Sequence, residues 1–298
     1  MAFDLIEGKP RDLGGFSVRR VLPSLAHRAV GPFVFFDHLG PAVLESGEGV
    51  QVRPHPHIGL ATVTFLFDGE LMHRDSLRSV QAIRPGDVNW MTSGRGIVHS
   101  ERSPKETLDQ PQAIHAIQSW VALPLEHENG DPSFAHHPAA TLPRLTMQGV
   151  DVTIIAGHAF GRCAPVAVLS PTLYVAAYFQ AGSTLTLPGE HEERALYLVS
   201  GNVTVDGRKV PPQTMAVFES GRDVNIEAST GSTAMLLGGA RLDAPRALDW
   251  NFVASSREAI ASARGAWERY PNDRFPQVPG EAEFIPLPPA THAVSTPL

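Results

Sequence analysis

Two stretches of the chain decide how it is expected to fold: Pro54-His-Pro-His-Ile-Gly-Leu-Ala-Thr-Val-Thr64 and Pro85-Gly-Asp-Val-Asn-Trp-Met-Thr-Ser-Gly-Arg-Gly-Ile-Val-His-Ser-Glu101. The run Ala61-Thr-Val-Thr-Phe-Leu-Phe67 is rich in β-branched and aromatic residues, which favour strands. Asp68-Gly69 follows it as a turn signal, and Arg84-Pro-Gly-Asp87 is a second one. This pattern predicts short antiparallel strands joined by tight turns.

Each stretch also carries two residues of metal-ligating type at positions i and i+2. The first has His55 and His57, and the second has His99 and Glu101. Because alternate side chains of a strand point to the same face, each pair can aim two ligands at one point. The hairpin between the stretches brings the second pair back to the first. The sequence therefore predicts that three imidazoles and one carboxylate converge inside a β-barrel.

The residue types of this predicted site narrow the range of metals that it could bind. Imidazole and carboxylate without thiolate suit iron(II), manganese(II), cobalt(II), nickel(II), copper(II) or zinc(II). Four protein ligands leave two positions of an octahedral ion open for water, dioxygen or a bidentate substrate. Three neutral histidines and one glutamate leave one net positive charge on a divalent ion, which suits an enolate or phenolate oxygen. The predicted partners of such an ion thus include dioxygen, water and a small aromatic or enolic substrate.

Composition and charge exclude several other classes of protein. The chain has 298 residues, of which 43% are hydrophobic and 18% charged, as in globular proteins. No apolar window is long enough for a membrane span, and the N-terminus lacks the apolar core of a signal peptide. The single cysteine, Cys163, suits a reducing compartment. A net charge of −7 argues against direct nucleic-acid binding. We expect a cytoplasmic protein with neither a nucleic-acid nor a membrane partner.

A weak internal repeat predicts two domains. Phe65-Leu-Phe-Asp-Gly69 corresponds to Tyr197-Leu-Val-Ser-Gly201, and Pro85–Gly94 corresponds to Pro212–Gly221. Polar residues fill the segment from Pro124 to Pro143 between the copies. We therefore expect a metal-binding barrel in residues 1–143 and a second barrel in residues 144–298. Under this repeat the four ligand positions correspond to Leu187, Gly189, Ile226 and Ala228, so the second barrel is expected to hold no metal.

The C-terminal part of the second domain has a different pattern. Ser255-Ser-Arg-Glu258 has the form of a capping box, and apolar residues at helical spacing follow it up to Tyr270. The Pro-rich stretch from Pro276 to Pro289 predicts an extended tail. The expected fold class is all-β, with two antiparallel barrels of jelly-roll type, one C-terminal helix and the tail.

The two opening stretches resemble the pirin family of the cupin superfamily, as do Gly14-Gly-Phe-Ser-Val-Arg-Arg20 and Gly31-Pro-Phe-Val-Phe-Phe-Asp37. The resemblance covers most of residues 14–123, whereas residues 170–240 have only a cupin-like strand pattern. It implies a bicupin with one metal in the N-terminal barrel, iron(II) being expected first. The pirin ligand pattern falls on the four residues named above. The glutamate that cupins generally place soon after His-x-His is missing, and Glu101 supplies the carboxylate instead, as in pirins.

The resemblance also implies two classes of activity. One is quercetin 2,3-dioxygenase chemistry, in which Glu101 is both a metal ligand and the catalytic base for the flavonol hydroxyl. The other is a metal-containing, non-enzymatic regulatory or redox-sensing protein that binds transcription-related or metabolic proteins. Open coordination positions inside a barrel suit a small-molecule substrate and favour the dioxygenase.

Overall fold

The computed structural model describes residues 3–12 and 17–289. These residues form β-strands, two single-turn 3-10 helices (Lys105–Thr107 and Ala139–Thr141) and one α-helix, α1 (Arg257–Trp267). The predicted all-β fold with two jelly-roll domains and a C-terminal helix is confirmed. The strands of each domain are divided between a larger and a smaller sheet and do not close into one barrel.

The strands follow one another along the chain in short segments. The first twelve are β1 (Phe3–Glu7), β2 (Lys9–Asp12), β3 (Ser17–Leu22), β4 (Phe33–Leu44), β5 (Gln51–His57), β6 (Leu60–Asp68), β7 (Leu71–Asp75), β8 (Val80–Ile83), β9 (Val88–Thr92), β10 (Ile97–Arg102), β11 (Gln112–Ala122) and β12 (Ser133–His137). The next thirteen are β13 (Arg144–Met147), β14 (Val150–Ala159), β15 (Arg162–Cys163), β16 (Thr172–Phe179), β17 (Thr184–Leu187), β18 (Glu193–Ser200), β19 (Val203–Val205), β20 (Arg208–Val210), β21 (Thr214–Phe218), β22 (Val224–Ala228), β23 (Ser232–Gly239), β24 (Ala247–Asp249) and β25 (Phe252–Ala254).

The described residues fall into two compact units, and neither unit is continuous in sequence. The companion unit comprises residues 3–11, 19–36 and 140–241. The motif unit, which contains both histidine motifs, comprises residues 12, 17–18, 37–139 and 242–289. A single boundary at residue 143 would place residues 3–11 and 19–36 with the motif unit and residues 242–289 with the companion unit, which is the reverse of the observed division. Residue 143 stays the proposed boundary between the two repeats. Main-chain pairing accounts for the observed division at the N-terminus, because β1 pairs along β21 of the companion unit.

The companion unit has an apolar interior. Its larger sheet has the order β1-β21-β18-β23-β16-β14-β13, with β15 beside β14, and its smaller sheet has the order β17-β22-β19-β20. Apolar side chains from both sheets pack into one buried cluster. That cluster includes Leu187, Ile226 and Ala228, which correspond to His55, His99 and Glu101 in the repeat. These positions contribute to packing, and they offer no ligand atom.

The motif unit places both motifs on its smaller sheet, which has the order β5-β10-β7-β8. In the larger sheet, β12-β9-β6-β11-β4 lie side by side. Strand β10 lies between β5 and β7, so His99 is opposite His55 on one side and opposite Asp75 on the other. The register between β10 and β5 shifts after His99, and Glu101 lies opposite Val52.

Helix α1 confirms the predicted element but corrects the position of its cap. Ser256 is the N-cap, and its side chain accepts a hydrogen bond from the Ala259 N–H at 3.1 Å. The capping box predicted from Ser255 is wrong by one residue, because both the N–H and the hydroxyl of Ser255 donate to the buried Glu128 carboxylate. None of the helices in the described part of the chain has the length and apolar character that a membrane span requires.

The segment that follows α1 lies along the motif unit. The indole N–H of Trp267 donates to the carbonyl of Ile285 at 3.0 Å. Residues 281–289 form no regular secondary structure, in agreement with the predicted tail. Residues 290–298 of the predicted second domain, and part of the quoted Gly14–Arg20 stretch, lie outside the described residues.

Candidate metal centre

Three of the four predicted ligands come together in the motif unit. His55 and His57 lie on β5, and His99 lies on the adjacent β10. One ligand nitrogen of each ring lies within 4.8 Å of the other two, and this is the one such group in residues 3–12 and 17–289. All three side chains are buried, with exposed fractions of 7%, 1% and 1%. A buried group of three imidazoles is suited to hold a transition metal.

Main-chain carbonyls set the protonation of two of these rings. The Nδ1 atom of His55 lies 2.9 Å from the carbonyl oxygen of Arg53, and Nδ1 of His57 lies 3.1 Å from that of Asn251. A carbonyl oxygen only accepts hydrogen bonds, so both rings carry a proton on Nδ1. A neutral ring of this tautomer has a lone pair on Nε2, which is the form that binds a metal.

The arrangement of the free nitrogens fits a cation. Nε2 of His57 lies 3.1 Å from Nε2 of His99, and the ring centres of His55 and His99 are 4.4 Å apart. Lone pairs at this separation repel one another unless a proton or a metal ion lies between them. The donor set therefore fits a divalent transition metal bound by His55, His57 and His99.

Burial keeps the three imidazoles neutral. Loss of solvent lowers the pKa of His55 to about 4, the Arg53 hydrogen bond opposes this effect, and repulsion from His73 adds to it only when that ring is protonated. The pKa values of His57 and His99 are also well below 6.5, first because of burial and then because of repulsion from the neighbouring histidines. All three rings are thus neutral near neutral pH, with one nitrogen free of a proton, as metal ligation requires.

These lowered pKa values predict how the metal-free protein responds to acid. Below the ordinary histidine pKa of 6.5, the unfolded chain takes up protons that the folded state resists. The stabilising contribution of the neutral rings is therefore complete above that value and is lost as the pH falls towards 4. We expect the midpoint of urea unfolding to be lower at about pH 5 than at about pH 7. His55→Asn, with one buried imidazole fewer, should show a smaller difference, and an equal difference would contradict this account.

Glu101, the fourth predicted ligand, does not belong to the histidine group in this structure. Its Oε1 lies 2.8 Å from Thr64 Oγ1, and its Oε2 lies 3.4 Å from Nε2 of Gln118. Burial raises the pKa of Glu101, and the attraction of His73 when that ring is protonated and the Thr64 hydrogen bond oppose that increase. The structure thus holds the carboxylate beside Thr64 and Gln118, and its ligation of the metal stays a prediction.

Sequence reasoning missed two buried residues next to the site, His73 and Asp75 on β7. Nδ1 of His73 lies 3.4 Å from Nδ1 of His99, and its Nε2 lies 3.0 Å from the Asp75 carboxylate. Burial favours a higher pKa for Asp75, but the hydrogen bond from His73, the attraction of that ring when it is protonated, and the hydrogen bonds from Ser79 outweigh burial and lower the pKa. His73 and Asp75 have the same i, i+2 spacing as the two motifs, and this signal could have found them.

Two aromatic residues of the larger sheet complete the surroundings. The ring of Trp120 on β11 meets His57 edge-on, with ring centres 5.1 Å apart. Phe134 on β12 stacks on His73 at 4.3 Å. The side chains of the two sheets therefore meet at the histidine group, which restricts the orientation of the His57 and His73 rings.

Comparison with known proteins shows similarity along most of the chain. Residues 15–121 match the family model described as Pirin, and residues 174–273 match the one described as Pirin C-terminal cupin domain. A pirin-like protein of Caulobacter vibrioides is 47% identical over 96% of this chain and 99% of its own length. A Pseudomonas aeruginosa protein provisionally named quercetin 2,3-dioxygenase is 44% identical over 86% of this chain and 80% of its own. A crystal structure of quercetin 2,3-dioxygenase from Acinetobacter baumannii superimposes with a TM-score of 0.91 at 34% identity, covering 98% of this chain and 96% of that one.

Proposed function

This chain is a member of the pirin family of the cupin superfamily, and we propose that it is a metal-dependent dioxygenase of quercetin-like flavonols, that is, a quercetin 2,3-dioxygenase. The observation that carries the proposal is the buried group of His55, His57 and His99, with Glu101 two residues after His99 on β10. The names of two similar proteins, one of them known as a solved structure, support the assignment of the reaction. The proposed location is the cytoplasm.

The three histidines would hold one divalent transition metal, with iron(II) as the proposed ion and Glu101 as the proposed fourth ligand. When bound, such a metal supplies positive charge and open coordination positions for an anionic oxygen and for dioxygen. We assign one metal to each chain, because the repeat positions Leu187, Ile226 and Ala228 lie in the apolar cluster of the companion unit.

Glu101 is the residue to which we assign the proton transfer. A flavonol hydroxyl must lose its proton before its oxygen can act as an anionic ligand. Glu101 is suited to accept this proton, because burial raises the pKa of its carboxyl group and so makes the carboxylate a stronger base. Thr64 and Gln118 hold the carboxylate in place through contacts of 2.8 Å and 3.4 Å. Trp120 packs against His57 and contributes an aromatic wall beside the ligands.

The test is oxygen uptake with quercetin by protein purified without a metal-affinity tag and analysed for its metal. The dioxygenase proposal expects a bound transition metal, together with equal amounts of dioxygen consumed and carbon monoxide released. Bound iron without turnover, together with a protein partner that binds in one redox state only, would favour the regulatory alternative. The absence of turnover with each of the candidate metals would refute the dioxygenase.

A further inference from the structure

We propose that Asp75 and His73 form a positioning pair that sets the proton on Nδ1 of His99 and so keeps Nε2 of His99 free to bind the metal. The inference rests on the proposed metal site, and it assigns a role to two residues that do not themselves contact the metal. It does not depend on the flavonol reaction.

The pair lies on the strand next to His99. In the antiparallel pairing of β7 with β10, Asp75 is opposite His99 and His73 is opposite Glu101. The contacts run from Asp75 Oδ2 to His73 Nε2 at 3.0 Å, and from His73 Nδ1 to His99 Nδ1 at 3.4 Å. The side chains of His73 and Asp75 are 3% and 0% exposed. Protein groups, and not bulk water, therefore determine where the protons lie.

The hydrogen bonds around Asp75 show that its carboxylate acts only as a hydrogen-bond acceptor. Its Oδ1 accepts the N–H groups of Leu77 and Ser79, both at 2.9 Å, which leaves Oδ2 facing His73. A carboxylate has no proton to donate, so His73 must donate from Nε2. In many metal sites a carboxylate accepts a hydrogen bond from a ligating histidine and so orients its ring, and these contacts have a similar arrangement. Here a second histidine lies between the carboxylate and the ligand.

The positions of the protons on the His73 and His99 rings follow from these contacts. A neutral His73 that donates from Nε2 has a lone pair on Nδ1, which must receive the Nδ1 proton of His99. His99 is left with a lone pair on Nε2, the atom that lies 3.1 Å from Nε2 of His57. The reverse tautomer of His73 would place a proton on Nε2 of His99 and block the metal.

Phe134 keeps the hydrogen-bonded series Asp75, His73 and His99, which we call the relay, in this orientation. Its ring stacks on His73 with centres 4.3 Å apart and an angle of 12° between the ring planes. The stacked ring and the two hydrogen-bond partners fix the plane of His73 and the direction of both nitrogens. His73 is therefore placed to transmit the preference of Asp75 to His99.

The substitution Asp75→Asn tests the relay with little change of shape. The N–H groups of Leu77 and Ser79 will hold the amide oxygen, so the NH₂ group will face Nε2 of His73. That ring must then carry its proton on Nδ1, and His99 must carry its proton on Nε2. We expect the affinity for zinc, measured against a chromophoric chelator, to fall by about 10–100-fold, the cost typical of a lost outer partner.

Glu281→Gln is the matched control, because it also replaces a carboxylate by an amide in a residue that contacts strand β10. Glu281 accepts from the Ser100 hydroxyl and from the Arg102 guanidinium, and both of these residues alternate with His99 and Glu101 on β10. Its zinc affinity should equal that of the wild type. Wild-type affinity in Asp75→Asn, or an equal loss in Glu281→Gln, would overturn the relay. Since zinc binding needs neither dioxygen nor flavonol, the result is independent of the proposed reaction.

Two further measurements separate the relay from a merely structural role. In the double variant His73→Phe/Asp75→Asn nothing imposes the wrong tautomer, so it should bind zinc more tightly than Asp75→Asn alone. A double variant with equal or weaker affinity would contradict the relay. Long-range ¹H–¹⁵N NMR of the zinc-loaded wild type requires no variant to fold. It should show His73 protonated on Nε2 and not on Nδ1, and any proton on Nδ1 of His73 would overturn the proposal.

Discussion

Replacing His57 by alanine should remove the bound metal and the oxygen uptake together. The substitution leaves two of the three converging imidazoles, His55 and His99. We expect metal affinity to fall by more than about two orders of magnitude, beyond the range that outer partners of a ligand typically cost. Zinc affinity and oxygen uptake with quercetin, measured on the same preparation, check the result.

His127→Ala is the control for this prediction. His127 is half-exposed, and its ring contacts the exposed carboxylate of Glu126 at 3.3 Å, outside the histidine group. The control should keep both the metal and the activity. A His57→Ala protein that binds metal as tightly as the control would show that His57 is not a ligand.

Glu101→Gln should separate the metal from the reaction. The glutamine keeps the size of the side chain and an oxygen near Thr64, but it loses the charge and the ability to accept a proton. Oxygen uptake per bound metal should fall by about two orders of magnitude or more, as is typical when a general base is lost. Metal content should fall less, because the three imidazoles remain.

Normalising activity to bound metal is essential here, since loss of metal would otherwise imitate loss of the base. Gln118→Leu provides a useful comparison, because it removes the 3.4 Å contact to Glu101 and leaves the carboxylate itself. It should lose less activity than Glu101→Gln. A Glu101→Gln protein with its metal and nearly full activity would refute the role of Glu101 as the base.

The convergence of the three histidines could be predicted because their signal is local. His55 and His57 are two residues apart on β5, and a turn-rich hairpin returns the chain to His99. Glu101 was harder to place from the same rule. The register between β5 and β10 shifts after His99, at a point where Pro54 has no N–H to offer the ladder. The i, i+2 rule assumes an unbroken strand pair and says nothing about such a shift.

The groups that orient the histidines could not be predicted in the same way. The carbonyl of Asn251 bonds to His57 across 194 residues of sequence, and a main-chain carbonyl has no side-chain signal. His73 and Asp75 have the right spacing, but their role depends on β7 being the neighbour of β10. The internal repeat likewise predicted two sets of strands without showing that residues 242–289 belong to the motif unit.

The central claim is that His55, His57 and His99 bind one transition metal through their Nε2 atoms. Diffraction from crystals of the metal-loaded protein, collected at the absorption edge of that metal, tests it most directly. We predict one anomalous peak per chain, about 2.0–2.3 Å from all three Nε2 atoms, with an oxygen of Glu101 as the proposed fourth ligand. A peak bound by other residues, or a second ordered peak among the strands of the companion unit, would contradict it.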